Sequence, residues 1–287
     1  MAGGFRERAF IGLQHLLPQH ALSRLVGALA GSRIGFLRRA LIGAFLRNYP
    51  VDLAEAARND PANYESFNDF FTRRLRPGAR PADPDPRAVL CPVDGVVSQA
   101  GRIEDDSLLQ AKGIRYSAAS LLGGDAATAA EFSGGDFATL YLAPHNYHRI
   151  HMPCAGTLRL ARFVPGDRFS VNAATAAAVP SLFARNERIA CVFDTGAGPM
   201  AVVLVGALFV GSMSLAWAGA VRPRERNKIT DLPARDPFIA LDRGAELGWF
   251  NMGSTVIVMF APQGPSLIGG LSAGSAVRVG LRLATLR

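Results

Sequence analysis

Cysteine is scarce in this chain. Cys91, Cys154 and Cys191 make an odd count with no CxxC pair. A disulfide framework and a thiolate zinc site are therefore not expected, and a reducing compartment suits the count. No cleavable leader is expected either. Arg6 and Arg8 precede an apolar stretch, but Gln14, His15 and Pro18 interrupt it, and no small-residue cleavage site closes it. Acid is nearly absent from the N-terminus. Seven arginines among residues 1–50 face Glu7 alone, which places +6 of the chain's +8 there. Such a basic balance favours anionic partners, nucleic acid and anionic lipid alike. Residues 200–221 lack charge over a length that could cross a bilayer. Gly206, Gly211, Ser212, Ser214 and Gly219 break that run, and 201–205 is β-rich, so two buried strands with a glycine bend are expected instead.

The first fifty residues are helical in pattern. Phe10, Leu13 and Leu17 share one face; Leu22, Leu25, Val26 and Leu29 make a second; Ile34, Leu37, Leu41 and Phe45 make a third. Apolar faces flanked by arginine suit helices lying on an anionic membrane. A helical pair packed on the main body with solvated arginines gives the same pattern. Phe67, Phe70, Phe71 and Leu75 predict a further helix, ended by Pro77-Gly78, and Pro81, Pro84 and Pro86 predict an extended linker. Beyond it the pattern changes to strands and turns. β-Rich runs occur at 89–90, 95–97, 139–142, 157–163, 188–193, 201–210, 255–260 and 276–283. No long amphipathic helix separates them, which argues against a doubly wound parallel sheet. The expected fold is α+β: a mostly β, barrel- or sandwich-like body over residues 82–287, with amphipathic helices in residues 1–81.

Three of the five histidines crowd into His145-Asn146-Tyr147-His148-Arg149-Ile150-His151. In an extended chain His148 and His151 face opposite sides, so a turn or bulge is needed to bring them together. No cysteine or acid stands nearby at ligand spacing and HExxH is absent, so no metal is expected. Acid–base work near neutral pH suits histidine better; polar residues at a strand end are the plain alternative. Asp94, in Pro92-Val93-Asp94-Gly95, is either a turn aspartate or the group that orients a histidine. Gly253-Ser254-Thr255 leads into the apolar run 255–260. It reads as a turn before a buried strand, or as a serine beside an uncrowded glycine carbonyl, placed for an N-to-O acyl shift. The nucleophile elbow Gly-x-Ser-x-Gly is missing there.

Together these segments resemble the phosphatidylserine decarboxylase family. The resemblance is carried by Phe67-Asn68-Asp69-Phe70-Phe71-Thr72-Arg73, Pro92-Val93-Asp94-Gly95, Tyr147-His148-Arg149-Ile150-His151-Met152-Pro153 and Gly253-Ser254-Thr255. Gln110-Ala111-Lys112-Gly113, Val210-Gly211-Ser212 and Trp217-Ala218-Gly219 add to it. Met252 stands where the bacterial pattern has leucine, a swap that keeps volume and apolarity.

The resemblance implies a self-processing enzyme. Ser254, activated by His151 with Asp94 behind it, would attack the Gly253 carbonyl. The chain would part into residues 1–253 and 254–287, and Ser254 would become a covalent pyruvoyl cofactor. That group would take up the amine of phosphatidylserine and accept the electrons released as carbon dioxide leaves, giving phosphatidylethanolamine. His148 would protonate the carbanion. The implied partners are phosphatidylserine, an anionic membrane surface on the cytoplasmic face, the chain's own two fragments as a heterodimer, and a second copy in a homodimer, with no nucleic acid. Two other functions fit parts of the sequence: a non-catalytic membrane-binding module, and a serine hydrolase using Asp94, His151 and Ser254.

Overall fold

A nine-stranded sheet carries the fold in the computed structural model, which describes residues 11–15, 17–208, 212–221, 225, 227–232, 238–252 and 255–287. Its central strands run in the order Gly156–Val164, Arg188–Thr195, Gly198–Val205, Thr255–Phe260, Asp136–Tyr141 and Gly95–Arg102. Neighbours are antiparallel throughout this run. Both faces are covered. Val202, Leu204, Val256, Val258 and Phe260 point into one core, while Ala201, Val203, Ile257 and Met259 point into another. Burial on both sides is why these strands read as continuous apolar runs. The sheets do not close into a barrel, and the fold is α+β with a mostly β body and N-terminal helices.

A smaller sheet positions the histidines. It orders Gly219–Ala220, Met213–Leu215, Glu246–Phe250 and Arg149–His151. A Cβ on Gly248 would overlap the Ser214 carbonyl, so only glycine permits this strand spacing. The register shifts between Glu246 and Gly248, opposite His151 and Ile150. The extra residue, Leu247, belongs to the partner strand, so the irregularity does not turn His148 and His151 to one side: their rings meet different neighbours.

The N-terminal helices Gln19–Ala30 and Gly35–Asn48 pack with the short helix Phe67–Phe71. Ala30, Ile42, Tyr64, Phe67, Phe70 and Phe71 form their shared core, and Met252 packs against it. Two expectations change. The helix starting at Phe67 ends at Phe71, well before Pro77, because the following chain pairs sideways with residues 55–57: Ala57 N–H donates to Arg74 O and Arg76 N–H to Glu55 O, each at 2.9 Å. The run 276–283 is two strands, Ala276–Val277 and Arg282–Thr285, parted by a turn at Gly280 with φ 85°. No helix among the described residues is long and apolar enough to cross a membrane. Within the run 200–221, Gly198–Val205 and Met213–Leu215 are strands of different sheets.

Candidate active site

Gly253 and Ser254 lie outside the described residues. The chain on either side of them is firmly held. Thr255 begins the central strand and pairs with Val205 on one side and Tyr141 on the other. Asn251 donates from its backbone to Ser212 O at 2.9 Å, and from Nδ2 to Ser212 Oγ at 2.8 Å and Ser214 Oγ at 3.0 Å. It accepts at Oδ1 from Asn68 Nδ2 at 3.1 Å, which ties it to the helix Phe67–Phe71. Between these anchors Met252 has φ 95°. A non-glycine residue held there stores on the order of 1–3 kcal/mol. A cavity of about 310 Å³, lined by Phe45, Phe67, Phe71, Tyr141, Leu142 and Met252 among others, opens beside it.

Asp94 is buried beside the edge of the main sheet. A Cβ on the following Gly95 would overlap the Tyr141 carbonyl. Arg80 grips its carboxylate, Nε at 3.0 Å from both oxygens and Nη2 at 2.5 Å from Oδ2. Val279 N–H donates to Oδ1 at 2.9 Å. Arg80 also pairs with Glu55 at 2.8 Å. The hydrogen bond from Arg80 is the largest influence on Glu55 and holds its carboxyl below the ordinary range.

His151 lies close by, its N–H donating to Pro92 O at 2.9 Å. No described hydrogen bond joins its ring to Asp94. The ring is held instead by Gly244 O, 2.8 Å from Nδ1, and by the Tyr147 hydroxyl, 3.0 Å from Nε2. A carbonyl can only accept, so Nδ1 carries the proton and the lone pair of the neutral ring is on Nε2. Tyr147 donates to it and stacks on the ring, centroids 5.7 Å apart. Burial lowers the His151 pKa, which keeps the ring neutral.

His148 faces a different environment. Its Nδ1 donates to Asn146 O at 2.8 Å, and its ring centroid is 4.1 Å from that of Phe71. Nε2 is buried without a hydrogen-bond partner among the described residues. Burial drives its pKa down to about 3. The neutral ring therefore keeps an unpartnered lone pair on Nε2, packed against Phe71.

Comparison with known proteins decides the family. A family model described as phosphatidylserine decarboxylase matches residues 67–285, and one described as PSD matches residues 9–50. A phosphatidylserine decarboxylase proenzyme of Pseudomonas aeruginosa (strain LESB58) is 56% identical over 283 residues, covering 98% of each chain. One of Ectopseudomonas mendocina (strain ymp) is 56% identical over 278 residues, covering 96% of this chain and 97% of its own. The chain belongs to the phosphatidylserine decarboxylase family. Its family-matched region begins at Phe67, the first residue of the helix that carries Asn68 to Asn251.

Sequence reasoning proposed Asp94, His148, His151 and Ser254 as site residues and passed over Arg80, Gly244 and the hydroxyl of Tyr147, which the structure places against Asp94 and His151. Arg80 sits in a proline-rich stretch 14 residues from its partner, and Gly244 acts through a backbone carbonyl 93 residues from His151. Neither has a local signature. Tyr147 had one, its place four residues before His151 in the same motif.

Proposed function

We propose that this chain is a proenzyme that cleaves itself between Gly253 and Ser254 and then decarboxylates phosphatidylserine to phosphatidylethanolamine. The observation that carries the reading is the held geometry around that bond: Asn251 fixed by four hydrogen bonds, Thr255 fixed in the central strand, and Met252 strained between them. Strain at the preceding residue weakens an otherwise inert amide. His151 is the base, neutral and with its lone pair on Nε2. Asp94, an anion clamped by Arg80, supplies negative potential that favours the imidazolium as it forms.

Cleavage converts Ser254 into a covalent pyruvoyl group, whose carbonyl supplies an electron sink for the loss of carbon dioxide. The surroundings fit such a group. A largely apolar cavity lies beside Met252, and His148 Nε2 is buried with no hydrogen-bond partner among the described residues. His148 moves the proton at the decarboxylated carbon. The N-terminal helices support contact with an anionic membrane. Leu13, Leu25, Leu29, Ile34 and Phe36 are exposed on them, interleaved with exposed Arg24, Arg33 and Arg39. The enzyme is then peripheral, drawing its lipid substrate from the surface it rests on.

Intact mass of the purified protein tests the reading. Two fragments are expected, the smaller spanning residues 254–287 with a blocked, carbonyl-bearing first residue. Ser254→Ala should stay one chain and release no carbon dioxide from phosphatidylserine vesicles. A whole wild-type chain that is active would overturn the proposal.

A further inference from the structure

Arg73 is a buried cation whose donors are largely unfilled. Only 4% of it is exposed. Nη2 donates to His145 O at 2.9 Å and, at a longer 3.4 Å, to Asn146 O. Nε and Nη1 have no hydrogen-bond partner among the described residues, so every bond it makes there goes to a carbonyl. Its guanidinium carbon lies 5.7 Å from the Phe70 ring centroid. Burying charged donors unfilled costs free energy. A neutral side chain could bond the same carbonyls without that cost, so the charge itself needs an account. The carbonyls lead to His148. Asn146 O also accepts from His148 Nδ1 at 2.8 Å. Asn146 is fixed in a turn: its N–H donates to Ala143 O at 2.9 Å, and its Oδ1 accepts from Ala143 N–H at 2.8 Å. A second arginine closes the clasp in the other direction. Arg149 Nε donates to Thr72 O at 2.9 Å, so residues 72–73 and 145–149 bind each other reciprocally, with Phe71 against the His148 ring. The titratable and charged groups facing His148 are Arg73 and His145. Tyr64, Asp94, Arg80 and Tyr147 face Arg73, and Asp94 is already clamped by Arg80.

We propose that Arg73 is the positioning residue of His148: it seats the His145–Asn146 carbonyls so that Asn146 O meets Nδ1, which fixes the lone pair of the ring on Nε2, and its charge opposes a further proton on the ring. A carbonyl oxygen has two lone pairs, and here Arg73 and His148 both donate to the same one. An oxygen that already faces a cation is a poorer partner for an imidazolium. Burial and the Arg73 charge act on the ring in the same direction, both lowering its pKa. The use of His148 in decarboxylation rests on the function proposed above; the fixed tautomer stands on the geometry alone.

Nitrogen NMR of the full-length protein, labelled in its histidine rings, reports where each ring carries its proton. The His148 signals are those missing from His148→Asn. In wild type Nδ1 should be protonated and Nε2 bare. Arg73→Gln removes the charge and is too short to hold both carbonyls. Its His148 should lose the single tautomer, with both nitrogen signals moving to intermediate positions. Its kcat for carbon dioxide release should fall by as much as on the order of 10²-fold, the size of a typical acid–base contribution, with KM changing less. A merely structural arginine would lower the thermal midpoint and leave the ring signals in place. Arg73→Lys keeps the charge on one donor nitrogen, and its ring should stay closer to wild type than that of Arg73→Gln. Ring signals in Arg73→Gln that overlay wild type overturn the inference. So does a wild-type ring protonated on Nε2, a result that needs no variant to fold. A lysine variant no closer to wild type than the glutamine variant overturns the part given to the charge. If the ring behaves as stated and wild-type protein releases no carbon dioxide, the proposed function falls and the positioning role stands.

Discussion

His148 shows what one buried ring can do to both stability and chemistry. Nδ1 donates to Asn146 O, the ring packs on Phe71, Nε2 has no hydrogen-bond partner among the described residues, and the Arg73 guanidinium adds its repulsion to burial. The unfolded chain takes up a proton here near pH 6.5, while the folded chain resists until about pH 3. Between those values the unfolded state binds more protons, so stability rises with pH and is lost as pH falls below about 6.5. His148→Asn removes the titration and keeps an N–H donor. Its thermal midpoint should fall less than that of wild type between about pH 7 and pH 4. Parallel curves would show that His148 is not buried as described. The same variant separates two chemical roles. Self-cleavage should continue, because His151 serves it, and carbon dioxide release should fall on the order of 10²-fold or more. Normal turnover would remove His148 from the decarboxylation step.

The N-terminal helix shows how far periodicity reaches. The sequence pattern finds an amphipathic helix at residues 19–30 but does not say which side meets the protein. In the structure Gln19 and Ser23 of this helix, and Gln14 just before it, turn inward while His20 and Arg24 stay exposed. Gln14 Oε1 accepts from Ser170 N at 2.7 Å, Gln19 Oε1 accepts from Arg168 N at 2.6 Å, and Ser23 is fully buried. Leu25 and Phe36 are left 59% and 71% exposed. The inward bonds join residues more than 140 apart, so nothing local announces them. Strands buried on both faces were legible because burial writes itself as a continuous apolar run. The second strand expected in 200–221 is Met213–Leu215, but Glu246–Phe250 was not legible, since its pairing depends on a close approach at Gly248 rather than on composition. At the candidate site the residue types were readable and the partners were not: Asp94 and His151 stood out, but only the fold shows Asp94 held by Arg80 and His151 by Tyr147 and Gly244. The outward apolar face leads to a test. Leu25→Glu with Phe36→Glu removes two side chains each worth roughly 1.5–3 kcal/mol when buried in lipid. Binding to vesicles containing phosphatidylserine should weaken at least tenfold with unchanged circular dichroism. Undiminished binding would assign those residues another role.

Cutting a chain beside its central strand raises the question of what keeps the pieces together. Thr255–Phe260 is buried along its whole length and hydrogen-bonded to Gly198–Val205 on one side and Asp136–Tyr141 on the other. Val256, Ile257, Val258, Met259 and Phe260 each bury an apolar side chain, which together contribute on the order of 10 kcal/mol. The same fragment supplies Ala276–Val277 to the edge of the main sheet and Arg282–Thr285 to the sheet containing Ala88–Leu90. Val279 N–H reaches Asp94, and Arg282 pairs with Asp83 at 3.0 Å. Every one of these contacts joins a residue after position 254 to one before it, so cleavage there would break a covalent bond without removing a strand. The two fragments should therefore co-elute as one particle in native gel filtration and unfold in one cooperative transition, parting only in denaturant. Ile257→Asp places an unpaired carboxylate at the centre of the sheet and should prevent accumulation of the folded chain. If the smaller fragment were lost from wild-type protein in native buffer, the central strand would not be the tie that its burial implies.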